Sequence, residues 1–260
     1  MEGNIYRINP GADLSGADLE DADLSDVDLE RANLTNANLA GAVLTGANLT
    51  NANLTNTWMR GIQLSDSNLA GADLSGANLT NANLKDVKLV GAIMMQAKLV
   101  GADLTRAWLT RANLAGADLT GAKLIGTNLI AVRLIHANLE QASLIQSNLA
   151  GANLSGANLT NANLTNANLA GADLTGAKLI GAHMVNAKLS HADLSRAVLT
   201  SANLTNADLT DVNLRDADLS GAVLTSARFV NADLTDTRFT DSTMRNAAMM
   251  SSLYDTQFKI

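Results

Sequence analysis

From Leu14 onward every fifth position is a large apolar residue, usually leucine, and alanine stands two residues before most of them. The register runs without insertion or deletion through 48 units, from Ala12 to the unit centred on Met249. Of the 48 centres, 41 are Leu, and the others are Met59, Met94, Met184, Phe229, Phe239, Met244 and Met249. Two residues earlier, 37 of 48 positions are Ala, with Val27, Ile62, Thr127 and Ser147 among the exceptions. One small and one large apolar position therefore flank a single polar residue, usually Asp or Asn.

This period excludes an α-helix. A five-residue step advances a helix by about 140°, which would spread the leucines around its whole circumference. In extended chain, residues two apart point to the same side. The pattern predicts three extended residues and then a bend, with Ala and Leu inside and Asp or Asn outside. The bend is marked by glycine: every Gly except Gly3 stands two residues after a centre or, as Gly11, in the same register before the first. That position is Gly, Asn or Asp in 35 of 48 units, the residues that best tolerate the positive φ of the third residue of a type II turn. The single proline, Pro10, precedes the array, as expected where every coil must donate hydrogen bonds to its neighbours.

Units such as Ala12-Asp13-Leu14-Ser15-Gly16 and Ala47-Asn48-Leu49-Thr50-Asn51 resemble those of the pentapeptide-repeat family, and the resemblance covers about 240 of the 260 residues. It implies an all-β fold, a right-handed quadrilateral parallel β-helix with four units per coil. On that basis the chain forms about 12 uninterrupted coils and a rod roughly 55–60 Å long. Residues 1–260 are expected to form one domain, with 1–11 as lead-in and N-terminal cap, 12–250 as repeats and 251–260 as C-terminal cap. Solenoid stability is a sum over neighbouring repeats, so both ends require caps.

Composition narrows the chemistry. There is no Cys, hence no disulfide and no thiol chemistry. Met1–Pro10 lacks a basic start followed by an apolar stretch, so neither a signal peptide nor a membrane span is expected, and a cytoplasmic location follows. The net charge of −7 is not evenly spread. Asp13, Asp18, Glu20, Asp21, Asp23, Asp26, Asp28 and Glu30 crowd the first coil, while residues 31–260 hold 16 acids against 17 bases. The outward acids of four successive units point to four different faces and cannot converge on one ion. They serve either as a rim that blocks end-to-end strand pairing or as a docking surface. At the other end, Met249, Met250, Leu253, Tyr254 and Phe258 supply an apolar lid over the last coil or a homodimer contact of the kind relatives use.

The outward positions of residues 91–150 depart from Asn, Asp, Ser and Thr. Ile93, Met95, Val100, Trp108, Ile125, Ile130, Ile135 and Ile145 are expected to face solvent, with Lys98, Arg106, Arg111, Lys123 and Arg133 among them and Lys88 in one ladder with Trp108. An apolar surface edged by cations suits a protein partner; β-branched residues also stabilise ladders without any partner. Thr57, Ile62 and Ser67 break the inward alanine column, read either as compensating packing or as support for Trp58 as an anchor.

Catalysis has little to stand on. His136, His183 and His191 occupy outward or corner positions with no thiol or carboxylate pair evident, and a rod offers no cleft. No catalytic, metal or cofactor residue is predicted, and no phosphate loop or basic stripe points to direct nucleic-acid binding. The expected function is a non-enzymatic interaction rod. The alternative implied by the resemblance is a DNA mimic that binds DNA gyrase or topoisomerase IV, although negative charge gathered at one end suits a duplex surrogate poorly. An ice- or polymer-binding face fails, because the ladder Ser15, Thr35, Thr55, Ser75 is interrupted by Met95, Ala115 and Ile135. One echo remains: Asn68–Lys85 nearly repeats as Asn148–Thr165, an offset of 80 residues, or four whole coils.

Overall fold

A computed structural model describes residues 7–248. Each bridge between chain segments is parallel and joins a residue to the one twenty further on, from Asp13↔Asn33 to Arg228↔Ala248. A turn every five residues divides each twenty-residue coil into four sides. Only the middle residue of a side forms a bridge, so the walls are four ladders of isolated bridges rather than extended sheets. Counting from the centre at Leu14, the sides are called faces one to four: face one continues through Leu34, face two starts at Leu19, face three at Leu24 and face four at Leu29.

The backbone explains each letter of the repeat. The N–H of Leu14 donates to the Asn33 carbonyl at 2.7 Å, and the N–H of Asn33 donates back to the Ala12 carbonyl at 2.9 Å. Gly16 donates to the Thr35 carbonyl at 2.8 Å, and Ala17 closes the turn on the Leu14 carbonyl at 3.0 Å. The fifth N–H, that of Ser15, cannot reach a neighbouring coil and donates to Asp13 Oδ1 at 3.1 Å. The outward Asp or Asn therefore does more than face water. It supplies the acceptor that completes the backbone account of its own unit.

All corner positions from Gly11 to Asn246 have positive φ, between +54° and +72°. They include Arg31, Gln96, Arg106, Arg111, Ala131, His136 and Arg196. The turn is thus imposed by the stacked coils even where the corner residue does not favour it; no β-branched residue, the type most penalised there, occupies a corner. At several glycine corners the side chain of the corresponding corner one coil away fills the space a Cβ would occupy, so any other residue there would push that side chain aside. A Cβ on Gly156 would lie 2.3 Å from the His136 ring.

Inside, the leucine and alanine columns from Leu29 to Ala232 form a continuous core that is almost wholly buried. Among the described residues, the four buried polar side chains are paired with backbone. Thr57, Ser67 and Ser147 donate their hydroxyls to the carbonyls of Leu54, Leu64 and Leu144 at 2.6–2.7 Å, and Thr127 donates to Leu104 at 2.8 Å. The irregular alanine column is therefore accommodated by hydrogen bonds as well as packing, and Ile62 is fully buried beside it.

The ends are looser. Ile8, Ala12, Ala22 and Val27 are half-buried and packed against the core. At the other end Phe239, Met244 and Ala247 are half-buried, and the Phe229 and Phe239 rings meet edge to face with centroids 6.4 Å apart. The expected cap or dimer residues Met249, Met250, Leu253, Tyr254 and Phe258 lie outside the described residues.

Candidate docking surface

The register distributes the outward residues of the middle coils over separate faces. Lys88, Trp108 and Ile130 stand on face four; Ile93, Met95 and Arg133 stand on face one; Arg111 occupies the corner joining the two. Lys123, Ile125 and Ile145 stand on face three, and Arg106 occupies the corner between faces three and four. The expected belt therefore divides into two sides of different character.

On the first side the apolar groups are open to solvent. Among the described residues seven large hydrophobic side chains are exposed, and five of them, Val90, Ile93, Met95, Trp108 and Ile130, lie on faces four and one. Trp108 is 53 % exposed. Face four carries no acid between Glu30 and Asp208, and face one carries none between Asp73 and Asp173. Lys88, Arg111 and Arg133 thus have no ion-pair partner among the described residues.

On the other side the cations have acids as partners. Arg106 stacks one coil above Asp86, with Nε 2.8 Å from Oδ1, and this contact holds the Asp86 carboxyl below its ordinary pKa. Asp103 lies 3.5 Å from Lys85 and 3.9 Å from Lys123. Partial burial pushes the Asp103 pKa up, but hydrogen bonds from Thr105 and the two lysines outweigh it, and the net shift is downward. Ile125 and Ile145 are half-buried on this side, as neighbours in a ladder. Two of the predicted cations, Arg106 and Lys123, are therefore engaged within the rod.

A shallow groove follows the edge between faces one and two. Its volume is about 460 Å³, with Met95, Ala115 and Ile135 as an apolar floor and Gln96, Gly116 and His136 along the corner. Asn56 and Gly76 also line a second depression of about 320 Å³ beside Trp58, Asn78 and Lys98. Trp58, 63 % exposed, is thus joined to the Met95 surface through shared walls, a link that the sequence reading missed. The available signal was the small corner residues Gly76 and Gly116, which open the edge between larger neighbours.

The acids of the first coil have local duties. Asp13, Asp18, Asp23 and Asp28 stand one on each face. Asp13 accepts from the Ser15 N–H and from Asn33 Nδ2 at 3.0 Å; Asp28 accepts from the Glu30 N–H and from Asn48 Nδ2 at 2.8 Å. Asp23 accepts from the Ser25 hydroxyl at 2.7 Å, and this bond, with the one from the Ser25 N–H, lowers its pKa. Glu20 contacts Asn38 at 3.0 Å and Glu30 contacts Arg31 at 3.2 Å, while Asp21 and Asp26 lean over Gly41 and Gly46. Among the described residues no group of three or more His, Asp or Glu side chains is arranged to hold a metal ion, and no helix is long and apolar enough to cross a membrane.

Comparison with known proteins places this geometry. No curated protein matches the chain. Among solved structures, HetL from the cyanobacterium Nostoc sp. strain PCC 7120, involved in heterocyst differentiation regulation, is 37% identical over 77% of this chain and 86% of its own, with a TM-score of 0.44. QnrB1, a plasmid-mediated fluoroquinolone resistance protein, is 23% identical over 76% of this chain and 89% of its own, with a TM-score of 0.43. A pentapeptide repeat protein of the Arabidopsis thaliana thylakoid lumen is 32% identical over 42% of this chain and 69% of its own, with a TM-score of 0.30. The family model described as Pentapeptide repeats (8 copies) matches nine stretches, 28–66, 59–96, 97–134, 127–166, 157–196, 167–206, 177–216, 202–241 and 217–252. Together these leave no gap between residues 28 and 252, and the chain belongs to the pentapeptide-repeat family, whose members fold as right-handed quadrilateral β-helices.

Proposed function

We propose that this protein is a non-enzymatic interaction rod, a single continuous solenoid that presents the edge between faces four and one to a protein partner. One observation carries the reading. Exposed Val90, Ile93, Met95, Trp108 and Ile130 gather on two adjoining faces, where Lys88, Arg111 and Arg133 make no ion pair among the described residues. Apolar side chains left open on a rigid framework, with a cationic rim, have the composition of an interface centre and its surround. The rod is pre-ordered, so docking immobilises little backbone.

The test is capture from a cell extract by immobilised rod, comparing wild type with Trp108→Asp and Ile93→Asp. Both sites are exposed, so the variants should keep the wild-type circular dichroism. A partner retained by wild type and lost from both variants is expected. Equal retention by all three would remove the surface from the account. A DNA gyrase supercoiling assay, with and without a fluoroquinolone, separates this reading from duplex mimicry. The rod is expected to leave gyrase unaffected; inhibition or protection would replace the interaction-rod reading.

A further inference from the structure

The backbone account of the repeat has an exception on this same surface. Ordinarily the N–H one residue after the centre donates to the outward Asp or Asn of its own unit, as Ala115 does to Asn113 at 3.2 Å and Ile130 to Asn128 at 3.2 Å. In four units of the docking surface the outward residue is Lys88, Ile93, Trp108 or Arg133, which offers no such oxygen. The N–H groups of Val90, Met95, Thr110 and Ile135 consequently have no acceptor among the described residues. Similar units occur elsewhere, for example at Trp58, Lys98, Lys123 and Lys178, and of these Lys123 is engaged by Asp103 at 3.9 Å. Along the edge between faces four and one these open donors coincide with exposed Val90, Ile93, Met95 and Trp108 and with the unpaired cations Lys88, Arg111 and Arg133, a larger cluster than the one that Trp58 and Arg60 form on face two.

We propose that this edge binds an acidic, apolar segment of another protein, whose carboxylates replace the missing Asx oxygen at Val90, Met95 and Thr110 beside Lys88 and Arg111. The inference rests on the interaction-rod reading and specifies the chemistry of the partner. The rod's own units show the geometry: Asp13 and Asp28 each accept the corresponding N–H with a carboxylate oxygen at 3.1 Å. A carboxylate from a partner would meet the same donor, and bonds to a charged acceptor exceed neutral ones in strength. The apolar side chains of the segment would cover Ile93, Met95 and Trp108. Three unpaired cations over several coils favour a few carboxylates over a nucleic-acid backbone, which carries a charge at every nucleotide.

The test uses the full chain labelled with ¹⁵N and three probes: an eight-residue peptide alternating Glu and Leu, its counterpart alternating Lys and Leu, and a twelve-nucleotide single-stranded DNA. The Glu–Leu peptide is expected to move the amide protons of Val90, Met95, Thr110 and Ile135 downfield. Its affinity should fall about tenfold in Arg111→Glu and in Trp108→Ala, and should decline with added salt. Equal binding of the Lys–Leu peptide on the same amides would overturn the acidic partner while leaving the docking surface in place. Stronger DNA binding there would overturn it in favour of phosphate. Shifts confined to face three, or none with any probe, would overturn this inference, and a simultaneous loss of the Trp108 dependence in the capture experiment would remove the underlying reading as well.

Discussion

Two sides of the same coils, built from one repeat, have been put to opposite uses. On face three and its corner, Arg106 pairs with Asp86, and Lys85 and Lys123 share Asp103. On faces four and one of the same coils, Lys88, Arg111 and Arg133 stand among Ile93, Met95 and Trp108 and make no ion pair among the described residues. The cores behind both are alike, with Leu104, Leu109, Leu124 and Leu129 all buried. What differs is the outward and corner side chains, which vary while the inward pair stays Ala and Leu, and where an outward Asp or Asn is replaced the unit gives up one backbone hydrogen bond. Stability and recognition thus occupy alternate residues of one chain.

The largest expected effect tests that separation directly. Leu109→Ala, which empties the core behind Trp108, should cost about 2–5 kcal/mol, whereas Trp108→Ala should change stability by about 0.5 kcal/mol or less. Guanidinium unfolding of both variants decides it; similar losses would mean that Trp108 is a structural residue. Next in size is binding. The Glu–Leu peptide should lose about tenfold in affinity with Arg111→Glu, while Arg106→Ala and Lys123→Ala leave it unchanged, because their guanidinium and ammonium groups are already spent on Asp86 and Asp103. Equal losses on both sides would erase the contrast.

A smaller effect concerns the corner joining faces four and one. Ala131 holds φ +54° with no polar side chain to ease it, so Ala131→Gly should raise stability by about 0.5–1 kcal/mol. A fall in the denaturation midpoint would mean that the stacked coils relieve the strain by other means. The smallest effect is a titration. Arg106 holds the Asp86 carboxyl below its ordinary pKa. A depressed folded-state value contributes stability that is present above the unfolded pKa and lost as pH falls through the folded one. Arg106→Ala should return the Asp86 ¹³C carboxyl titration toward the ordinary carboxylate range, while Trp108→Ala leaves it in place.

Much of the fold could be read from the leucine and alanine columns, because a five-residue period admits so few chain paths. The outward Asp and Asn were read as solvent-facing, which is true of Asp13, but their service to the backbone N–H of Ser15 needs three-dimensional geometry. Corners such as Arg111 and His136 carry no turn signal of their own; the stack sets their φ. The docking side was only half legible. Counting back twenty places puts Arg106 over Asp86 and Lys123 over Asp103, which separates engaged from unengaged cations. The diagonal contact between Lys85 and Asp103 and the groove through Gly76 and Gly116 follow from side-chain reach and from space left at the corner, which spacing alone does not reveal.

The measurement that bears most directly on the central claim compares Ile135 on face one with Ile145 on face three. Both are half-buried and occupy the same place in their units. Each is replaced by p-benzoylphenylalanine in the full chain, and the two rods are irradiated in the same cell extract. The account predicts a discrete cross-linked adduct from position 135, competed away by the Glu–Leu peptide, and none from position 145. Adducts of equal yield from both positions, or from 145 alone, would contradict it.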